Sequence, residues 1–178
     1  LILRRFEFYG CDNEEADAMV RRIFDDYTSI VWAVIEREGI LRPPGISTFG
    51  REIVWRQQGH WGIGPRQASA DGHHKGEYLA TNFSPSPGSD REGPTAAINS
   101  YCKMDFTKTP TGATLELKLD PKSVEGEAGI QAMVGLIKSF IRQGGWFLQI
   151  DTVDSATLID AQRHPEQYPN LPVRVSGW

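Results

Sequence analysis

The sequence predicts a mixed helix–strand chain of the α/β class, on three observations. A stretch near the start, from about Glu14 to Glu38, repeats apolar residues at helical spacing. The segment Thr114-Leu115-Glu116-Leu117-Lys118-Leu119 alternates leucine with other residues, the pattern of a half-buried strand. A second helical run, from about Ser123 to Gln143, stops at Gly144-Gly145 and leads into a further strand, Trp146 to Val153.

Each element has a local cause. In the first helix Val20, Ile23, Phe24, Tyr27, Ile30, Val31, Val34 and Ile35 form one apolar stripe, expected to face the core. Asp12 is placed to cap it, with Glu15 three residues on, and Gly39 suits its end. From Arg42 to Pro94 periodicity fades among glycines and prolines, with one strand expected at Glu52-Ile53-Val54-Trp55-Arg56. A stretch this long without regular elements is uncommon in a compact domain. Its aromatic residues Phe49, Trp55, Trp61, Tyr78 and Phe83 point to ordered, irregular chain lying against other protein. A short helix is expected to start near Thr95. In the Ser123–Gln143 helix, Ile130, Val134, Ile137 and Ile141 are expected to point inward. A last helix, Ser155 to Arg163, ends at His164-Pro165, because proline disfavours helix at the residue before it. Val173-Arg174-Val175 reads as a final extended piece.

Composition removes several function classes. No apolar run among the 178 residues approaches the roughly 20 needed to cross a membrane. The opening Leu1-Ile2-Leu3-Arg4-Arg5 is too short an apolar stretch for a signal peptide, and without an initiator Met it reads as a cut through a longer chain. A net charge of −4 argues against a nucleic-acid surface. Two cysteines, Cys11 and Cys102, build no disulfide framework, which suits a reducing cytoplasm. His60, His73, His74 and His164 lack the spacing of a zinc motif, and no phosphate-binding glycine loop is present. Glu125, Glu127, Asp151, Asp154 and Glu166 read as helix caps and solvated faces.

The end of the chain is its most specific part. The run from Ser155 through Leu171 leads into Arg174-Val175-Ser176-Gly177-Trp178. This passage closely resembles the end of the glycyl radical enzymes, the pyruvate formate-lyase-like family, where an Arg-Val-small-Gly-aromatic loop holds the radical. The resemblance extends upstream. Ala70-Asp71-Gly72-His73-His74-Lys75-Gly76-Glu77-Tyr78-Leu79-Ala80 looks like the family's Asp-Gly-Arg-x-x-Gly-Glu-x-Leu-Ala loop. Ser84-Pro85, Gly88, Asp90 and Gly93-Pro94-Thr95-Ala96 follow, then Ser100, Lys103 and Asp105, and the Gly144-Gly145 pair before the strand. The match covers roughly Arg42 to Trp178. Four positions depart from it: His73 replaces an arginine, Glu116 a common asparagine, and Phe147 and Asp151 the usual His and Asn.

The resemblance implies a fold, a site and a chemistry. The fold would be the C-terminal part of an α/β barrel, with residues 1–41 a helical segment and 42–178 the glycyl radical domain. Gly177 would be the radical site. A Cα radical is stabilised by delocalisation between the amide nitrogen and the carbonyl, which needs a flat Cα. Glycine, with no Cβ, flattens easily. Taken without its lead-in, Gly177 reads as an ordinary turn glycine. The family's thiyl cysteine sits on an earlier loop; neither Cys11 nor Cys102 has that loop's flanking residues, and both read as small buried hydrophobes. The implied partners are an activating enzyme that uses S-adenosylmethionine and an iron–sulfur cluster, the remainder of the barrel with its cysteine, and a small-molecule substrate. No bound metal or organic cofactor is implied, and the full-length enzyme is expected to be a cytoplasmic homodimer. Activity as a lyase or dehydratase is the first expectation. The alternative is a non-catalytic radical subunit that restores a damaged lyase.

Overall fold

A computed structural model gives the fold and describes residues 6–40, 67–70, 72–76, 80, 82–110 and 112–171. The elements in order are α1 (Glu14–Arg37), α2 (Gly93–Tyr101), β1 (Thr114–Leu119), α3 (Gly126–Arg142), β2 (Phe147–Thr152) and α4 (Ser155–Arg163). Short 3-10 turns stand at Phe106–Lys108, Pro121–Val124 and Pro165–Gln167. The strands expected at Glu52–Arg56 and Val173–Val175 lie outside the described residues, as do Phe49, Trp55, Trp61 and Tyr78.

β1 and β2 pair in parallel, Leu115 opposite Leu148 and Leu117 opposite Ile150. Parallel strands need a crossover, and α3 supplies it. The alternation in β1 buries Leu115, Leu117 and Leu119 in a core shared with Phe24, Ala97, Ile98, Tyr101, Met104, Phe106 and Phe140. Tyr101 is its centre. Its ring stacks on Phe106 and Phe140, with centroids 4.2 and 5.6 Å away, and meets the edge of Phe83 at 6.2 Å. Its hydroxyl donates to the carbonyl of Ala113, just before β1, and accepts from the amide of Phe147, at the start of β2, at 3.3 Å. One side chain thus joins the two strand entrances. Burial pushes the Tyr101 hydroxyl up to about 12, so it stays protonated and able to donate.

The helix ends follow their residues. Gly39 and Gly144 adopt positive φ, +61° and +81°, which glycine accepts without strain. In both cases the next amide reaches back to the last turn, Ile40 N to Ile35 O at 3.1 Å and Gly145 N to Phe140 O at 2.9 Å. α4 starts at Asp154, whose carboxylate accepts from the Thr157 amide at 2.7 Å, and stops at His164 as expected.

Three expectations are corrected. The N-cap of α1 is Asn13, whose side chain accepts from the amides of Glu15 and Ala16 at 3.0 and 3.1 Å. Asp12 is turned away at φ +53° and serves a charge network described below. The α1 stripe is not one buried face: Phe24 and Ile35 are buried, yet Ile23 is 62% and Ile30 66% exposed, with Tyr27 and Val34 also exposed. In α3 the buried positions are Gly129 and Phe140, with Leu136 packed beside them. Ile130, Val134, Ile137 and Ile141, expected inward, are exposed. Both helices carry two adjoining apolar lines, and the described chain covers only one of each. Gly129 decides which in α3, because its missing Cβ lets the backbone of Val124 lie directly on the helix.

Gly145 is a tight joint. A Cβ there would fall 2.5 Å from the Phe140 ring, whereas one on Gly135, within α3, meets nothing within 4 Å. Gly145→Ala should therefore destabilise the protein by about 1–3 kcal/mol through overpacking. Gly135→Ala should be neutral or stabilising by up to about 1 kcal/mol, the helix preference for alanine. Urea midpoints of the two variants against the parent check both.

Candidate functional site

The lead-in to the C-terminal motif forms an arm of its own. After β2 the chain turns at Asp154, which also accepts from the Thr157 hydroxyl at 2.6 Å, and runs through α4 to His164. The turn Pro165–Gln167 follows, and the Tyr168 hydroxyl returns to Asp160 Oδ2 at 2.6 Å. That bond raises the Tyr168 hydroxyl above its ordinary range. Neither α4 nor the turn has a buried residue. Lys118 of β1 touches the arm through the Ser155 hydroxyl at 3.0 Å. The expected radical residue, Gly177, lies outside the described residues, with the rest of Arg174–Trp178.

A charge network fixes α1 to α2. Asp17 is fully buried and its Oδ2 accepts from Lys103 Nζ at 2.7 Å and from the Ser100 hydroxyl at 2.9 Å. Its Oδ1 has no hydrogen-bond partner among the described residues. Lys103 also reaches Asp12 at 3.0 Å and Glu14 at 3.2 Å. Ser100 Oγ accepts from the Asp12 amide at 2.8 Å, and Asn99 donates to Asp12 Oδ2 at 2.8 Å. Burial works against the Lys103 charge, but hydrogen bonds to Asp17, Asp12 and Glu14 outweigh it and hold the ammonium well above its usual range. The hydrogen bond from Asn99, then that from Lys103, holds Asp12 below the ordinary carboxylate range, and Lys103 does the same for Glu14. Further along, α1 is tied separately: Lys108 pairs with Asp25 at 2.6 Å, and Trp32 Nε1 donates to the Lys108 carbonyl at 3.2 Å.

The remaining candidates fall into place around these. Cys102 packs against the core, and burial pushes its thiol up to about 11. Cys11 is half-buried, its thiol donating to the Ser89 carbonyl at 2.9 Å. Each cysteine thus sits in a packed setting, and neither lies beside the arm by any described contact. His73 accepts from the Ser69 amide through its carbonyl at 3.1 Å, and His164 Nδ1 lies 3.7 Å from Glu166. His60 is outside the described residues. Glu116 accepts from Asn82 at 2.8 Å and donates its amide to the Ser84 hydroxyl at 2.9 Å. Asp151 accepts from Gln149 at 3.4 Å. Phe147 is exposed but gives its amide to Tyr101.

Sequence reasoning missed Asp17 and the role of Lys103. The available signal was position: Asp17 stands one helical turn or two before Val20 and Phe24, on the buried side of α1, where an acid needs a partner.

Comparison with known proteins agrees with the motif reading. The family described as glycine radical matches residues 79–178. Probable dehydratase YbiW of Escherichia coli K12 is 38% identical over 179 residues, covering 96% of this chain and 21% of that protein. Trans-4-hydroxy-L-proline dehydratase of Clostridioides difficile is 31% identical, covering 100% of this chain and 22% of that protein. The glycerol-bound B12-independent glycerol dehydratase of Clostridium butyricum superposes with a TM-score of 0.79 at 30% identity, over 99% of this chain and 22% of that one. The chain spans about a fifth of the length of these relatives. They are dehydratases by name and give no support to the separate repair subunit.

The network sets an acid limit. Asp12 and Glu14 have lowered folded values, so their contribution is complete above the ordinary carboxylate range and is lost as pH falls through and below it. Lys103 has a raised value, so its share is complete at neutral pH and is lost only in strong alkali. Lys103→Met leaves Asp17 buried beside no cation and should cost about 3–5 kcal/mol. Between pH 7 and pH 5 that variant should regain thermal stability, while the parent holds level or falls. Melting midpoints at the two pH values decide the matter.

Proposed function

Because this chain belongs to the glycyl radical enzymes, we propose that it is the radical-storing region of a dehydratase or lyase, with Gly177 the residue that carries the radical. The family match over residues 79–178, which takes in the Arg174–Trp178 motif, carries this reading. In it, a separate activating enzyme removes one hydrogen atom from the Gly177 Cα. Gly177 then takes a hydrogen atom from a cysteine thiol in the remainder of the enzyme, and the resulting sulfur radical takes one from a small-molecule substrate. After the substrate has lost its leaving group the hydrogen atom is returned, and the radical passes back to Gly177. Aligning the three centres is the protein's contribution, a proximity effect.

The same reading gives the surrounding parts their places. The β1–α3–β2 unit belongs to the closing side of an α/β barrel, residues 42–178 form the radical domain, and residues 1–41 form a helical segment of the barrel wall. The apolar lines left exposed on α1 and α3 suit helices that continue into a larger body. A stored carbon radical has to be kept from water, oxygen and stray hydrogen donors, one purpose of a closed site. The Cys102 thiol, partly buried against the core, is pushed up to about 11 and so stays protonated.

In the full-length enzyme, anaerobic activation should give the doublet of a glycyl radical, and Gly177→Ala should abolish it. Alanine keeps an abstractable α-hydrogen, so the substitution tests flatness at Cα, which a methyl group crowds. Oxygen added to the activated parent should cut the backbone at Gly177. Electron paramagnetic resonance followed by mass analysis reads both. A doublet surviving in Gly177→Ala, or a cut at another glycine such as Gly145, would falsify the assignment.

A further inference from the structure

We propose that a helix from the remainder of the enzyme lies lengthwise along α3, seated on Ile130, Val134, Ile137 and Ile141. This rests on the reading of the chain as the radical-storing region of a larger enzyme. The four side chains are exposed, yet all are apolar and follow one spacing, four, three and four residues apart. That is a repeat of about 3.5 residues, the seam along which two helices interlock their side chains. A solvent-facing line on an amphipathic helix is polar instead. All four residues are also β-branched, and such side chains keep essentially one rotamer in a helix. The seam is therefore set before anything meets it.

Its place on α3 says which kind of partner it takes. At about 100° per residue, the seam stands roughly a third of the way round the helix from the covered line of Gly129, Leu136 and Phe140. The opposite flank has its neighbour: Gln143 bonds to Ser139 of α3 at 3.0 Å and to Asn99 of α2 at 3.1 Å. The surface farthest from the covered line carries Gln131, Lys138 and Arg142, all exposed. α3 thus has the core beneath it, α2 on one flank, polar residues outside and a bare apolar line on the other flank.

An occupant of that flank lies in the same layer as α2 and α3, a position within one protomer. A second copy would meet the outer surface, which is polar. The chain covers 21–22% of the length of its relatives, so most of the enzyme is left to supply the occupant. From Ile130 to Ile141 the seam runs about 16 Å, which calls for a partner helix of roughly three turns or more. Packing by this spacing sets the two axes about 20° apart.

The test uses the full-length enzyme, kept anaerobic, with one cysteine introduced at a time and its labelling by a maleimide followed by peptide mass. Ile137→Cys should label at least about tenfold more slowly than Lys138→Cys, its neighbour on the outer surface. A short photo-crosslinker carried on Lys138→Cys should join chain outside residues 1–178 in the same copy, at positions three and four apart. Equal labelling rates at 137 and 138 overturn the seam. So do crosslinks to residues 41–66 or 172–178, or crosslinks between copies in a mixture of light and heavy enzyme. The glycyl doublet separates this proposal from the reading of Gly177. A parent that gives the doublet but labels alike at both positions overturns the seam alone. A parent that gives no doublet, yet shields residue 137, upholds the seam and overturns the radical assignment.

Discussion

The hydroxyl of Tyr101 sits between the entrances of two parallel strands, giving its proton to the Ala113 carbonyl and taking that of the Phe147 amide. Two parallel strands have no hairpin to hold their ends together, and their register must come from elsewhere. A buried phenol with both hydrogen-bonding roles filled supplies it. The same ring stacks between Phe106 and Phe140. The turn after α2, the C-terminal half of α3 and the starts of both strands therefore meet at one side chain. Beyond β2 the arm starts at Asp154, which caps α4.

α1 joins this body by a polar contact in its first turn and by apolar and polar contacts side by side at its middle. Phe24 meets Phe83 and Phe106 edge-on, at 5.5 and 5.7 Å. The Asp17–Lys103 and Asp25–Lys108 pairs stand on either side of it. A greasy contact alone would let a long helix rotate or slide. A buried carboxylate that must meet its ammonium allows one setting, which is the specificity that buried ion pairs provide in some proteins at a cost in desolvation.

How much of this the sequence reveals depends on how far apart the deciding residues lie. β1 and α4 are legible because their causes are local: alternating leucines for one, Asp154 and Pro165 for the other. The cap of α1 is harder, since Asp12 and Asn13 are both capping residue types, and the choice turns on Asn99, Ser100 and Lys103 far along the chain. The inward faces of α1 and α3 are hidden for a related reason. Two apolar lines run side by side on each helix, and periodicity gives their spacing without saying which line is covered. Gly129, where Val124 needs the space of a Cβ, settles it for α3. The candidate radical residue is the opposite case, legible from a motif and lying outside the described residues.

The Gly144-Gly145 joint also bears on how this protein can be modified. Between the end of α3 at Arg142 and the start of β2 at Phe147 the chain reverses within a few residues, and the Phe140 ring fills the space beneath. Sites that accept foreign sequence have slack backbone whose hydrogen bonds can be given up. Here the amides of Gln143, Gly144 and Gly145 all return to α3. A fluorophore site, an epitope or a circular-permutation break placed at this joint would lift Phe140 from the Tyr101 ring and part the two strand entrances together. For labelling purposes this surface turn behaves as interior.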